Sequence, residues 1–140
     1  MSAGRGGQAI VYNDCMANIL LGVTGSVAAI RTPELRRGLQ QAGCRVTCYA
    51  NQHGEDAMTR CIQATGCEWH NITALDDATA ADRIRADQVD VLFDLSGHTA
   101  GNRLALFGRR PAPVQVTWLG YLATTGSVAL DYRLCDRHTD

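Results

Sequence analysis

The chain has 140 residues, enough for one domain with a sizeable core. Apolar residues make up 46% and charged residues 19%, with a formal net charge of -1. That balance is ordinary for a soluble globular protein, and it excludes nucleic-acid or membrane-surface binding driven by an excess of Lys and Arg.

No apolar run approaches the roughly 20 residues needed to cross a bilayer. The opening Met-Ser-Ala-Gly-Arg-Gly-Gly-Gln lacks the apolar stretch of a secretory signal. A cytoplasmic protein is expected. Residues 1–15 are rich in Gly and polar residues and read as a loose arm.

From there apolar runs alternate with helical patterns. Ala17–Val23 (ANILLGV) predicts a short buried strand. Ser26–Ala42 predicts a helix whose continuous stretch begins at Thr32-Pro33, because Pro suits a first helical position, and Gly43 ends it. Arg45–Ala50 (RVTCYA) predicts a second strand, Glu55–Thr65 a helix stopped by Gly66, and Cys67–Ile72 a third strand.

Asp76-Asp77 cap a helix running to Ala86, with acidic residues where the dipole favours them. Val89–Asp94 predicts a fourth strand, Asn102–Phe107 a short helix, Val114–Leu119 a fifth strand and Tyr132–Cys135 a sixth. Strands alternating with helices predict a Rossmann-like α/β three-layer sandwich, a single domain over 16–140 with a mostly parallel sheet of five to six strands. Unpaired sheet edges suggest association through them.

The six cysteines, Cys15, Cys44, Cys48, Cys61, Cys67 and Cys135, form no C-x-x-C pair and have no His at zinc-finger spacing. No metal site is expected. Their expected state is that of buried, reduced thiols.

In open α/β sheets, ligands bind beyond the carboxyl ends of strands. The candidate loops are therefore Thr24–Ser26, Asn51–Gly54, Leu95–Gly101 and Gly120–Gly126. The richest follows the fourth strand: Asp94-Leu95-Ser96-Gly97-His98-Thr99-Ala100-Gly101-Asn102. An Asp at a strand end can orient a nearby imidazole, and His suits proton transfer near neutral pH. The glycines permit close backbone approach, and Asn102 can cap the next helix. Against this, a His in such a loop is more often a surface or capping residue. Downstream, Pro111 and Pro113 fix an extended approach to the fifth strand. Arg109 and Arg110 offer planar forks to phosphate or carboxylate, although structural arginines are as common. Trp118 reads as core.

The run DVLFDLSGHTAGNRLALFGRRPAPVQVTWLGY, Asp90 to Tyr121, resembles the bacterial O-GlcNAc-transferase family at nearly every position. The similarity continues upstream through VTCYANQHGEDAMTR and AADRIRADQVD and downstream through TTGSVALDYRLCD, so it spans 46–140. The resemblance implies two Rossmann-like domains with UDP-GlcNAc bound between them. It also implies transfer of N-acetylglucosamine to protein Ser or Thr, with inversion, no metal and no cofactor.

Carried over by motif, Asp94 and His98 are the pair near the active centre, His98 in a binding or catalytic-assist role. Thr99 lies beside the sugar, and Leu119 and Gly120 belong to the turn that approaches it. The family usually reads Gly-Tyr-Pro-Gly-Thr at that turn, where this chain has Gly120-Tyr121-Leu122-Ala123-Thr124. Losing Pro and Gly together changes which backbone angles the turn adopts. The second domain, with most of the UDP site, is not recognisable in these residues. A fragment inactive by itself is therefore expected.

The opening segment differs. Met16–Gly43, MANILLGVTGSVAAIRTPELRRGLQQAG, resembles the start of the FMN-binding phosphopantothenoylcysteine decarboxylases. That resemblance implies an FMN-phosphate turn at Gly22, Thr24, Gly25 and Ser26, with backbone amides opening a helix. The chain thus reads as a join of two Rossmann-like pieces with a seam near Arg45–Cys48, and a small FMN-binding flavoprotein or a ligand-free α/β remnant is the alternative.

Overall fold

The structure is a computed structural model that describes residues 17–23, 30–118 and 123–135. The chain forms strands β1 (Asn18–Val23), β2 (Arg45–Ala50), β3 (Glu68–Asn71), β4 (Val91–Asp94), β5 (Val114–Trp118) and β6 (Tyr132–Leu134). Helices α1 (Thr32–Gln41), α2 (Ala57–Gln63), α3 (Asp77–Ala86) and α4 (Leu104–Gly108) separate the first five. All neighbouring strands are parallel, in the order β3-β2-β1-β4-β5-β6. This is the doubly wound arrangement predicted from the alternation, with the third and sixth strands both present. The predicted arm, 1–15, lies outside the described residues.

Side chains alternate across the sheet and build two cores. One contains Ile19, Leu21, Val46, Cys48, Phe93 and Val116, with Leu35 and Leu39 of α1 and Met58 and Ile62 of α2 packed on it. The opposite face joins Tyr49 and Leu92 to Ala80, Ala81 and Ile84 of α3 and to Leu106 and Phe107 of α4. Helix, sheet, helix is the expected stack of three layers. β6 is the exception, because Tyr132, Arg133 and Leu134 are all exposed at the sheet edge.

Helix boundaries follow capping chemistry. Pro33 occupies the first turn of α1, and Gly43 takes φ 83° just beyond its end. Asp56 and Asp76 accept bonds from the N–H groups of Thr59 and Thr79 at 2.7 Å each, which start α2 and α3. Those backbone bonds, followed by the Thr59 and Thr79 hydroxyls, hold both carboxyls below the usual carboxylate range. Because the folded pKa is depressed, the caps contribute in full above about pH 4, the unfolded value. The contribution is lost as pH falls through the folded values. Replacing both with Asn, which also caps helices, is expected to leave Tm at pH 7 nearly unchanged. A plot of Tm against pH should then lose part of its fall below about pH 4.

The cysteines depart from expectation. Cys48 is buried, Cys44 and Cys67 are half-buried, and Cys61 and Cys135 are exposed. The exposed face of α2 accounts for Cys61, and the chain just past the short edge strand β6 for Cys135. Cys15 lies outside the described residues. Trp118 is only half-buried, packed on the α1–α2 core.

Candidate functional site

β1 pairs with β2 on one side and β4 on the other, so the strand order reverses between β1 and β4. Their carboxyl ends, Gly22 and Asp94, lie opposite one another in register. At such a switch point the loops diverge and leave a crevice. Here a small, largely apolar hollow lies under the diverging loops, with Gly22, Asn51, Asp94, Ser96 and Arg103 among its lining residues beside Leu92 and Phe107.

Gly22 is required sterically. A Cβ at this position would sit 2.9 Å from the Phe93 carbonyl oxygen on β4. Its place is inside the sheet, paired with Tyr49 and Asp94. Its predicted companions Thr24, Gly25 and Ser26 lie outside the described residues.

Asp94 is buried, and both of its oxygens are engaged. Oδ1 accepts from the Ser96 and Gly97 amides at 3.0 and 3.2 Å, and Oδ2 accepts from Gly97 N at 3.0 Å and Thr117 Oγ1 at 2.9 Å. A carboxylate that gathers two amides of its own loop fixes that loop against the strand it leaves. Gly97 and Gly101 take φ 53° and 77°, values that suit residues without a Cβ. Thr99 closes the turn, its hydroxyl donating to the Ser96 carbonyl at 2.8 Å.

This folding exposes His98. Its Nε2 lies 2.7 Å from the Thr125 carbonyl oxygen. A carbonyl only accepts, so that nitrogen carries a proton, which fixes the tautomer of a neutral ring. The bond also ties the loop after β4 to the segment after β5, two of the four loops singled out from sequence. Leu119 and Gly120, the remaining predicted sugar-side residues, lie outside the described residues.

Two residues not singled out from sequence, Thr117 and Arg103, complete the frame together with Asn51 of the candidate loop after β2. Thr117 supplies a hydroxyl to Asp94 from the adjacent strand, directly opposite in register. Asn51, at the carboxyl end of β2, donates to the Gly101 carbonyl at 2.8 Å and accepts from Arg103 at 3.2 Å. Arg103 also donates to the Leu75 carbonyl and faces Asp77 at 2.8 Å. A buried Thr in an apolar strand was the available signal for Thr117, since a buried hydroxyl needs a partner.

Arg110, a candidate phosphate fork, has another occupation. At φ 50° it turns the chain and pairs with Asp131 at 2.8 Å, and it donates to the Ala129 and Pro113 carbonyls. Asp131 in turn accepts from the Gln115 amide at 2.8 Å, which lines up β6 beside β5. Arg109 is exposed, and its carbonyl accepts from Arg85. Asn102 accepts from the Leu104 amide at 3.2 Å in a turn just ahead of α4, but the cap position of that helix is Arg103, with no side-chain cap bond, so Asn102 does not cap it as expected. Among the described residues no group of three or more His, Cys, Asp or Glu side chains is placed to hold a metal ion, and no helix is long and apolar enough to cross a membrane.

The family model described as Glycosyl transferase family 41 matches residues 33–140. That match begins inside α1, upstream of the seam expected at Arg45–Cys48. Two curated plant proteins are similar, each described as a probable UDP-N-acetylglucosamine–peptide N-acetylglucosaminyltransferase SPINDLY. The one from Hordeum vulgare is 42% identical over 101 residues, covering 69% of this chain and 11% of that protein. The one from Petunia hybrida is 47% identical over 103 residues, covering 71% and 11%. A mutant O-GlcNAc transferase from Thermobaculum terrenum superposes with a TM-score of 0.82 at 34% identity, over 88% of this chain and 24% of that one. A share of 88% exceeds what 46–140 alone supplies, so the likeness to this transferase extends to residues before 46. The chain spans about a tenth of the length of these plant relatives.

Proposed function

The chain belongs to glycosyl transferase family 41, and from that premise we propose that it forms one Rossmann-like half of an enzyme transferring N-acetylglucosamine from UDP-N-acetylglucosamine to protein Ser or Thr. The observation that carries this reading is the loop after β4. It sits at the switch point, is drawn tight by Asp94, and presents His98 to solvent beside the segment after β5. In this reading Asp94 is a positioning residue. His98 binds the sugar nucleotide or assists proton movement at the acceptor hydroxyl, with Thr99 and the Leu119-Gly120 turn beside the sugar. A ring already oriented by a carbonyl needs no reorganisation when charge develops nearby.

One sheet offers one wall of a cleft, so binding rather than turnover is the expected behaviour of these 140 residues alone. A ligand that binds only the folded state raises the unfolding midpoint, by about 2.7 kcal/mol of stability at a hundredfold excess over Kd. Thermal unfolding with UDP-N-acetylglucosamine, UDP and FMN therefore tests the proposal. UDP-N-acetylglucosamine is expected to raise Tm by several degrees, and His98→Ala to remove most of that rise. A rise with FMN alone would favour the flavoprotein reading, and no rise with the sugar nucleotide would sink the proposal.

A further inference from the structure

Helix α4 opens without a side-chain cap. Its cap residue, Arg103, makes no such bond, whereas Asp56 and Asp76 cap α2 and α3. The Arg103 side chain is committed elsewhere. Nη1 donates to Asn51 Oδ1 at 3.2 Å and Nη2 to the Leu75 carbonyl at 2.9 Å, while Nε stands 2.8 Å from Asp77 Oδ1. One guanidinium thus holds the loop after β2, the segment after β3 and the first turn of α3.

These partners lie across the switch point from Arg103 itself. β2 and β3 stand on the β1 side of the sheet, and Arg103 follows β4. Asn51 completes the link in the other direction, its Nδ2 donating to the Gly101 carbonyl at 2.8 Å. The loop after β2 leads to α2 and the loop after β4 to α4, helices that pack on opposite faces of the sheet. Loops leaving for opposite faces open the crevice at a switch point. Asn51 and Arg103 span it. An ion pair with Asp77 alone would need neither terminal nitrogen of the guanidinium, and a phosphate ligand would need them open. Both are engaged, in directions that suit a planar fork joining two acceptors.

We propose, on the transferase reading above, that Arg103 is a positioning residue: with Asn51 it fixes the loop after β4 across the switch point and so fixes where His98 meets the sugar nucleotide. That loop is then held at both ends. Asp94 gathers its beginning through the Ser96 and Gly97 amides, and Asn51 and Arg103 hold its end at Gly101 and beyond. His98 and Thr99 lie between the two anchors. A segment pinned in this way has less conformational freedom to lose when a ligand binds.

Hydrogen exchange of the ligand-free 140-residue chain, compared with Arg103→Met, tests the clamp. Methionine removes every donor and keeps an unbranched stem. The amides of Thr99 and Asn102, which bond to the Ser96 and Thr99 carbonyls within the loop, report on it. They are expected to exchange about tenfold faster, the factor for one lost bond of this kind. Amides within β1 and β2 should change by less than about threefold, because local opening leaves the central strands protected. UDP-N-acetylglucosamine affinity should fall severalfold in the same variant, since only the fraction of chains with the loop in place binds. Arg103→Lys keeps the charge beside Asp77 without the planar fork, so it should recover Tm more fully than loop protection. If Arg103→Met does not fold by circular dichroism, Asn51→Ala removes the same bridge from its other end, with the same pattern expected. Unchanged loop exchange in the folded variant, an equal rise in loop and strands, or full recovery of loop protection by lysine overturns the inference. Absence of UDP-N-acetylglucosamine binding by the unsubstituted chain overturns instead the transferase reading on which it rests, and the two failures are seen separately because the exchange needs no ligand.

Discussion

Asp94→Ala is expected to lower the unfolding free energy by about 3–5 kcal/mol, the range for leaving buried partners of a charged group unpaired. The wild-type carboxylate accepts from two amides and one hydroxyl, all in the buried end of β4 and β5. Alanine removes every acceptor at once, and the donors have no other route to water without the loop coming away from the sheet. Asp94→Asn keeps one carbonyl oxygen, and the Thr117 hydroxyl can rotate to accept from the new amide. A smaller loss, about 1–2 kcal/mol, follows from that partial replacement. Urea unfolding of the three proteins measures both. A double-mutant cycle with Thr117→Val should return a coupling of about 1–2 kcal/mol, because the two side chains share a bond. If Asp94→Ala costs less than about 1 kcal/mol, the carboxylate does not organise the loop. The proposed positioning of His98 would then fall with it.

That pair also shows what sequence reading reaches and where it stops. The alternation of apolar runs and helical patterns was enough for the strands, the helices and a parallel sheet, because each element's signal is local. The loop after β4 was legible for the same reason, since acid, His and glycines stand together directly behind a buried run. Thr117 was not, because its role depends on β5 pairing with β4 in a register that sets it opposite Asp94. Nothing within VQVTW specifies that partner. Arg110 shows a reading the sequence left open: its fork was offered to phosphate or carboxylate or to a structural role, and a positive φ and a turn settle it on the carboxylate of Asp131, 21 residues later in the chain.

Gly22 separates a ligand's demand from the fold's. Read from sequence, it is the first residue of a phosphate-gripping turn, which predicts that a substitution weakens flavin binding and leaves the apoprotein intact. Its place in β1 predicts the opposite. The atom that a new Cβ would meet is a backbone oxygen, Phe93 O at 2.9 Å, and it belongs to the strand that pairs with β1 across the switch point. No side-chain rotation can relieve that approach, so β1 and β4 must separate or twist locally, next to the bonds that hold Asp94. Gly22→Ala is therefore expected to cost the ligand-free protein about 2–3 kcal/mol, the range for overpacking a well-filled interior. Gly38→Ala provides the internal control. Gly38 lies within α1, and a methyl group added there would have no neighbour within 4 Å. Alanine at that position should stabilise by about 0.4–1 kcal/mol through the unfolded chain. Urea unfolding without ligand distinguishes the two glycines directly. Equal, near-zero effects would mean that the close approach of β1 to β4 yields easily. A loss confined to Gly22→Ala would place the requirement for glycine in the sheet itself, where the cleft between the diverging loops begins.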